Sequence, residues 1–214
     1  MAQIDPKYFF EEDQPEGEVL NYESRTTHYG GPYPSDFHAY NASKIAALRA
    51  TEEFVRENKL GFDVVNIHPS FIIGKHELVQ NAEEALLGTN GVVLGLVLGN
   101  KSEFPVVGAS VHVDDVAFMH VKALDEGVEA GSYISNSEGE KGTVWQDAVG
   151  VVEREFANAV EEGVLKVDGV QGTRKLKVDA RREERVMGFK FKSFEEQVRS
   201  VVEHYLELKG KELK

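Results

Sequence analysis

The stretch from His38 to Pro69 sets the tightest limit on what this chain can fold into. Over residues 38–59, Ala39, Ala42, Ile45, Ala46, Leu48, Phe54 and Val55 recur at helical spacing with no Gly or Pro between them. Gly61 closes that pattern. The run that follows, Phe62-Asp63-Val64-Val65-Asn66-Ile67-His68-Pro69, is β-branched, apolar and stopped by proline, which is the form of a buried parallel strand. A helix leading directly into such a strand predicts an α/β fold.

The remainder continues in the same style. Helical spacing marks residues 81–87, and the run after Gly88 either prolongs that helix or extends. Residues 106–113 read as a strand, after which Asp114 or Asp115 is placed to cap a helix reaching about residue 126. A strand at 131–136, a helix at 145–162 and a strand region at 164–178 come next. A short helix at 181–187 is stopped by Gly188, and an amphipathic helix at 194–209 ends the pattern. Residues 1–37 are rich in Pro, Gly, Ser and acidic side chains, with turn signals at Gly30-Gly31-Pro32 and Pro34-Ser35-Asp36, and predict an irregular surface approach. No repeat or linker divides the chain, so residues 1–214 are expected to form a single domain.

Charge and residue usage exclude several functions. Asp and Glu number 37 against 24 Lys and Arg, a formal net charge of -13, and that field repels a phosphate backbone, so nucleic acid is not an expected partner. With no cysteine there is no disulfide, thiolate metal site or cysteine nucleophile. Residues 1–10 carry Asp5 and Lys7 and no long apolar core, unlike a secretory signal. The longest apolar run, 91–99, has about half the length that spans a bilayer. A cytoplasmic protein with no membrane partner is the expectation.

Few side chains are spaced for chemistry. Tyr40 and Lys44 stand one helical turn apart, so they share a face, and an ammonium there favours the ionised phenol. Such a pair can give a proton to a carbonyl oxygen or take one from an alcohol. The spacing alone is not specific, since Tyr205 and Lys209 repeat it on what reads as helix surface. The glycines at 88, 91, 95 and 99 invite comparison with a phosphate loop, but Ala82-Glu83-Glu84-Ala85-Leu86-Leu87 precedes them where an apolar strand should stand, so they read as packing glycines. His112, Asp114, Asp115 and His120 lack the spacing of a known metal site, and capping and packing explain them; no metal is expected. Ser70 has no strained Gly-x-Ser-x-Gly turn around it, which excludes a hydrolase elbow.

Taken together, Tyr40-Asn41-Ala42-Ser43-Lys44, then His68-Pro69-Ser70-Phe71-Ile72-Ile73-Gly74, then Val111-His112-Val113-Asp114-Asp115-Val116-Ala117, resemble in order and separation the extended short-chain dehydrogenases. The tail Gly188-Phe189-Lys190-Phe191-Lys192-Ser193-Phe194-Glu195-Glu196 is similar to the fungal ketone and aldehyde reductase branch, related to dihydroflavonol and cinnamoyl-CoA reductases. The resemblance implies the C-terminal half of a Rossmann-like fold with its substrate-binding part and an incomplete parallel sheet. Residues 38–75 would be the residual Rossmann helix and strand, and 76–214 the substrate-binding and C-terminal part. It implies Tyr40 as catalytic acid/base and Lys44 as its electrostatic partner, which in the family also touches the nicotinamide ribose. Pro69, Ser70, Phe71 and Ile72 would line the nicotinamide side of the pocket, and Leu78, Leu94 and Phe104 would be pocket walls, with Ser70 and Phe71 also facing substrate.

The family's glycine-rich phosphate loop, first five strands and catalytic serine all precede the tyrosine, and only 39 residues precede Tyr40 here. Three readings follow. The preferred one treats a chain that starts at Met1 and has a full tail as self-contained: an enzyme without a nicotinamide cofactor, isomerase, cyclase or dehydratase in type, in which Tyr40 moves protons on a small-molecule carbonyl compound, in secondary metabolism by family likeness. The alternative is an NADPH-dependent carbonyl reductase whose N-terminal half lies outside this chain or is supplied in trans, with NADP as cofactor. The third is a non-catalytic binding or assembly remnant. The helix and strand at 38–69 would leave an apolar face uncovered in such a half fold, and a homodimer is the expected remedy.

Overall fold

The computed structural model describes residues 4–212. The helix predicted at 38–59 is α2, Asp36–Glu57, and the proline-stopped run is β1, Val65–Pro69. β1 pairs in parallel with β5, Gly131–Ser135, in the register Val65↔Gly131 to Pro69↔Ser135. Crossing between them are β2 (Phe71–Ile73), α3 (Ala82–Ala85), α4 (Asn90–Val97), β3 (Val106–Val107), β4 (Ser110–His112) and α5 (Val113–Lys122). β2 pairs with β4 and β3 with a later two-residue strand, β6 (Thr173–Arg174), each time in parallel. The fold is thus α/β and Rossmann-like, with a parallel sheet present only in pieces.

Several predicted elements are interrupted, each for a local reason. The strand expected over 106–113 breaks at Gly108, whose backbone lies so close to the Thr143 carbonyl that a β-carbon would collide with it. The run after Gly88 is helical, as α4. Neither Asp114 nor Asp115 caps α5: His112 does, its Nδ1 accepting from the Asp114 N–H at 3.1 Å. The helix expected over 145–162 divides at Phe156 into α6 (Asp147–Glu155) and α7 (Ala157–Glu161). α8 (Arg181–Met187) ends on Gly188 at φ 71°, and α9 runs Phe194–Glu212.

Three cores hold these pieces. The largest joins α4, α6 and α9 around fully buried Trp145, whose indole N–H donates to the Val107 carbonyl at 3.0 Å and whose ring meets Phe194 edge-on at 5.6 Å. A second, of Met119, Val128, Tyr133 and Met187, backs β1 and β5 through Val65 and Ile67. The third corrects the expectation of an irregular surface approach at the N-terminus. There α1 (Lys7–Phe10) brings Tyr8 and Phe9 inward, and Ile4 and Leu20 join them against Ile134, Leu176 and Val178. Composition hid this because the buried residues are few and separated by turns.

Candidate active site

Tyr40, Lys44, Ala47, Leu48 and Thr51 fall at intervals of three and four along α2 and therefore share one face. They form one wall of an open groove of about 360 Å³, and all five residues of β1 form the other. Successive side chains of a strand point to opposite faces, so a groove touched by every residue of β1 runs along its edge. Among the described residues β5 is the sole hydrogen-bonded neighbour of β1, which leaves that edge free. The edge of a parallel strand is ordinarily covered.

Within the groove the Lys44 Nζ lies 5.3 Å from the centroid of the Tyr40 ring, and Phe37 steadies the ring from 6.0 Å. Tyr40 is 46% exposed, and its hydroxyl has no hydrogen-bond partner among the described residues, so it is open to a ligand. This is a phenol and a cation held together on a rigid helix beside an accessible space, which suits proton transfer to a bound carbonyl.

A network that the sequence did not announce lies beneath. His68 is buried in the groove wall with its Nε2 3.3 Å from the Ser132 hydroxyl, which also accepts from Arg25 at 3.2 Å. Arg25 in turn donates to Glu52 on α2 at 2.6 and 2.9 Å. The N-terminal segment, α2 and both strands are thereby tied together. Burial, helped by the Arg25 charge, pushes the His68 pKa down to about 4. No spacing rule points to Arg25, which sits in a turn-rich stretch; His68 was visible only as part of a motif.

The other expected site residues scatter. Pro69 shares the groove with Tyr40 and Lys44. Ser70 directs its hydroxyl at the Ser135 carbonyl, 3.1 Å away, and Phe71 turns toward Trp145, 6.0 Å between ring centroids, so both serve the frame. Ile72 and Leu78 meet in a second cavity, bounded by α3 and the start of α4. Leu94 is corrected from pocket wall to core residue, because α4 buries that side completely. Phe104 is exposed on the loop before β3 and borders neither space. Among the described residues no cluster of side chains could hold a metal ion, and no helix is long and apolar enough to cross a membrane.

No family model matches the chain. It is 37% identical over 211 residues to the ketoreductase CTB6 of Cercospora beticola, covering 97% of this chain and 58% of that one. To the NAD-dependent epimerase/dehydratase ALT6 of Alternaria alternata it is 37% identical over 175 residues, 76% of this chain and 49% of the relative. The fold superposes with a TM-score of 0.73 on the yeast methylglyoxal/isovaleraldehyde reductase Gre2 complexed with NADPH, at 20% identity, covering 98% of this chain and 62% of that structure. The chain belongs to the extended short-chain dehydrogenase/reductase family. It spans about half the length of the curated relatives it matches.

Membership corrects the preferred reading of a cofactor-free enzyme. The relatives in this family are a ketoreductase and an NAD-dependent epimerase/dehydratase, and the yeast reductase that shares the fold was solved with NADPH. The missing phosphate loop had argued otherwise, but that loop lies in a part of the family fold that this chain does not span. The residues present fit the nicotinamide end of such a cofactor, since Tyr40 and Lys44 offer a hydroxyl and an ammonium beside Pro69. Residues 88–99 do not serve its phosphates: Gly91 is pressed against the Leu86 carbonyl, and a β-carbon there would collide.

Proposed function

We propose that this chain is the proton-transfer and substrate-binding portion of an NADPH-dependent carbonyl reductase. The observation that carries the reading is the groove in which Tyr40 and Lys44 face the uncovered edge of β1. A phenol whose hydroxyl has no hydrogen-bond partner among the described residues is available to a ligand, and a parallel strand with one free edge calls for a further strand. The relatives have that extra length. On this reading the edge expected to drive self-association is covered by the remainder of the reductase fold.

Tyr40 donates its proton to the carbonyl oxygen of the substrate as the C–O bond becomes an alcohol, and Lys44 places positive charge beside the phenol that loses it. Lys44 and Pro69 would border the nicotinamide and its ribose. When bound, the cofactor supplies the hydride. His68, held by Ser132, Arg25 and Glu52, fixes β1 against α2 and so sets the distance between Tyr40 and the substrate.

Titration of the reductase fold that includes the further strand with NADPH and NADH, followed by nicotinamide fluorescence, is expected to show saturable binding. Tyr40→Phe is expected to lower ketone-dependent NADPH oxidation by roughly 10²- to 10⁴-fold and leave cofactor binding in place. Unchanged turnover in that variant removes Tyr40 from the chemistry; no fluorescence change with either nucleotide defeats the reductase reading.

A further inference from the structure

Arg182 stands on α8, outside the groove, and its side chain is devoted to stacking. The guanidinium lies between two rings, 4.0 Å from the centroid of Tyr22 and 4.6 Å from that of Tyr133. Its Nη1 is buried with no hydrogen-bond partner among the described residues, and Glu183 Oε1 is 3.8 Å away. Withdrawing a charge from water in this way is costly unless ring faces compensate, and two of them are present. The next residue fixes α8 to the sheet: Glu183, fully buried, accepts the Ile134 N–H of β5 on Oε1 at 3.1 Å. Arg182 is therefore a fixed platform beside β5, with one ring from β5 and the other from the N-terminal segment.

From Tyr22 the chain leads directly to the groove. Leu20 is pinned by two backbone hydrogen bonds, donating to the Lys177 carbonyl at 3.0 Å and accepting from the Asp179 N–H at 2.7 Å. A tight turn follows, in which the Asn21 N–H donates to the Ser24 hydroxyl at 2.9 Å and the Glu23 N–H to Asn21 Oδ1 at 2.8 Å. Arg25 folds back on that turn, its Nη1 donating to the carbonyls of Tyr22 and Ser24, both at 2.8 Å. Its Nε and Nη2 are left to reach Glu52 and Ser132. The ring on Arg182 and the carbonyl that holds Arg25 belong to the same residue, so the stack sets where the Arg25 fork is aimed. Glu52 lies roughly 18 Å along α2 from Tyr40. The helix is continuous between them, so a displacement at Glu52 is carried to Tyr40.

We propose that Arg182 is a positioning residue for the proton transfer: held between Tyr22 and Tyr133, it aims Arg25 at Glu52 and Ser132 and so sets where α2 carries Tyr40. The inference rests on the reductase reading above and adds to it a residue that touches neither the groove nor its walls. A stack is suited to this task, because planar groups pressed face to face resist tilting while leaving every hydrogen-bonding atom of Arg25 for the groove side.

The test reads two quantities. The first is the titration of His68 by NMR, which reports whether Arg25 stays in place, since burial above all, with the Arg25 charge helping, holds that imidazole down at about 4. Arg182→Gln is expected to raise the value by roughly one unit as Arg25 swings away. Tyr22→Ala, which leaves α8 intact, is expected to do the same and keeps the test decisive if Arg182→Gln does not fold. Arg182→Lys retains a cation over the rings and is expected to restore part of the shift. The second quantity is ketone reduction by the reductase fold that includes the further strand. There Arg182→Gln is expected to lower kcat roughly tenfold with KM for NADPH unchanged, as a misplaced proton donor does. Combined with Arg25→Gln, it is expected to lower kcat no further than Arg25→Gln alone. If Arg182→Gln and Tyr22→Ala leave both the His68 titration and kcat as they were, the inference is overturned and Arg182 is only a prop for α8. Losses that multiply in the double variant overturn it as well. The reductase reading fails separately: a His68 shift in a protein that reduces no ketone defeats that reading and keeps Arg182 as the residue that aims Arg25.

Discussion

The α4–α6–α9 region and the α2–β1 region are built to opposite rules. Around Trp145 the core side chains are enclosed, the indole N–H has its carbonyl, and aromatic neighbours meet on two sides. Along α2 and β1, among the described residues, a tyrosine hydroxyl has no hydrogen-bond partner and a strand edge is open, and Phe54 and Phe62 face water. The first arrangement minimises free energy within the chain itself. The second keeps its polar and apolar groups available, and that availability is what a site for ligand and cofactor requires. The contrast separates an enclosed scaffold from an accessible face.

Substitutions on the two sides can break that contrast. The largest effect is expected at Trp145→Ala, which leaves a void in a closed core and should cost about 3–5 kcal/mol in urea unfolding. A loss under about 1 kcal/mol would mean the region is less enclosed than its geometry says. Next comes the pH dependence of the histidines. His68 is depressed from the ordinary imidazole value to about 4, chiefly by burial, and His112 is depressed as well, by burial and then the Lys192 charge. The unfolded chain therefore takes up protons that the fold refuses between about pH 6.5 and 4, and stability present above that window is lost as pH falls through it. His68 should account for no more than about 3 kcal/mol of this. His68→Asn should flatten the slope in that window, with only the His112 share remaining; an unaltered slope would show that His68 is more solvated than its contacts allow. The smallest effect is expected at Phe62→Ala, within about 0.5 kcal/mol, since the ring is 64% exposed. A larger loss would reveal that the open region is covered in solution.

Much of the α2–β1 unit could be read directly, because period and punctuation were unambiguous there: apolar residues at helical spacing, Gly61, then a β-branched run ended by Pro69. The Tyr40–Lys44 pair was legible for the same reason, as one helical turn fixes which side chains share a face. Leu94 was misjudged because an apolar residue in a helical run looks alike whether it lines a cavity or fills a core. The His112 cap was missed because Asp114 and Asp115, better capping residues in general, stand beside it. Arg25 could not have been found at all, since nothing local relates it to Ser132, more than a hundred residues away.

From its amino acids alone, this chain had determined its α/β alternation, its family motifs and the phenol–ammonium pair, because each is written in spacings shorter than a few helical turns. Which of those groups would meet, which strand edge would stay uncovered and which leucines would ring a cavity were decided only when distant segments packed. Those outcomes depend on contacts between residues far apart in sequence, and local periodicity carries no record of them.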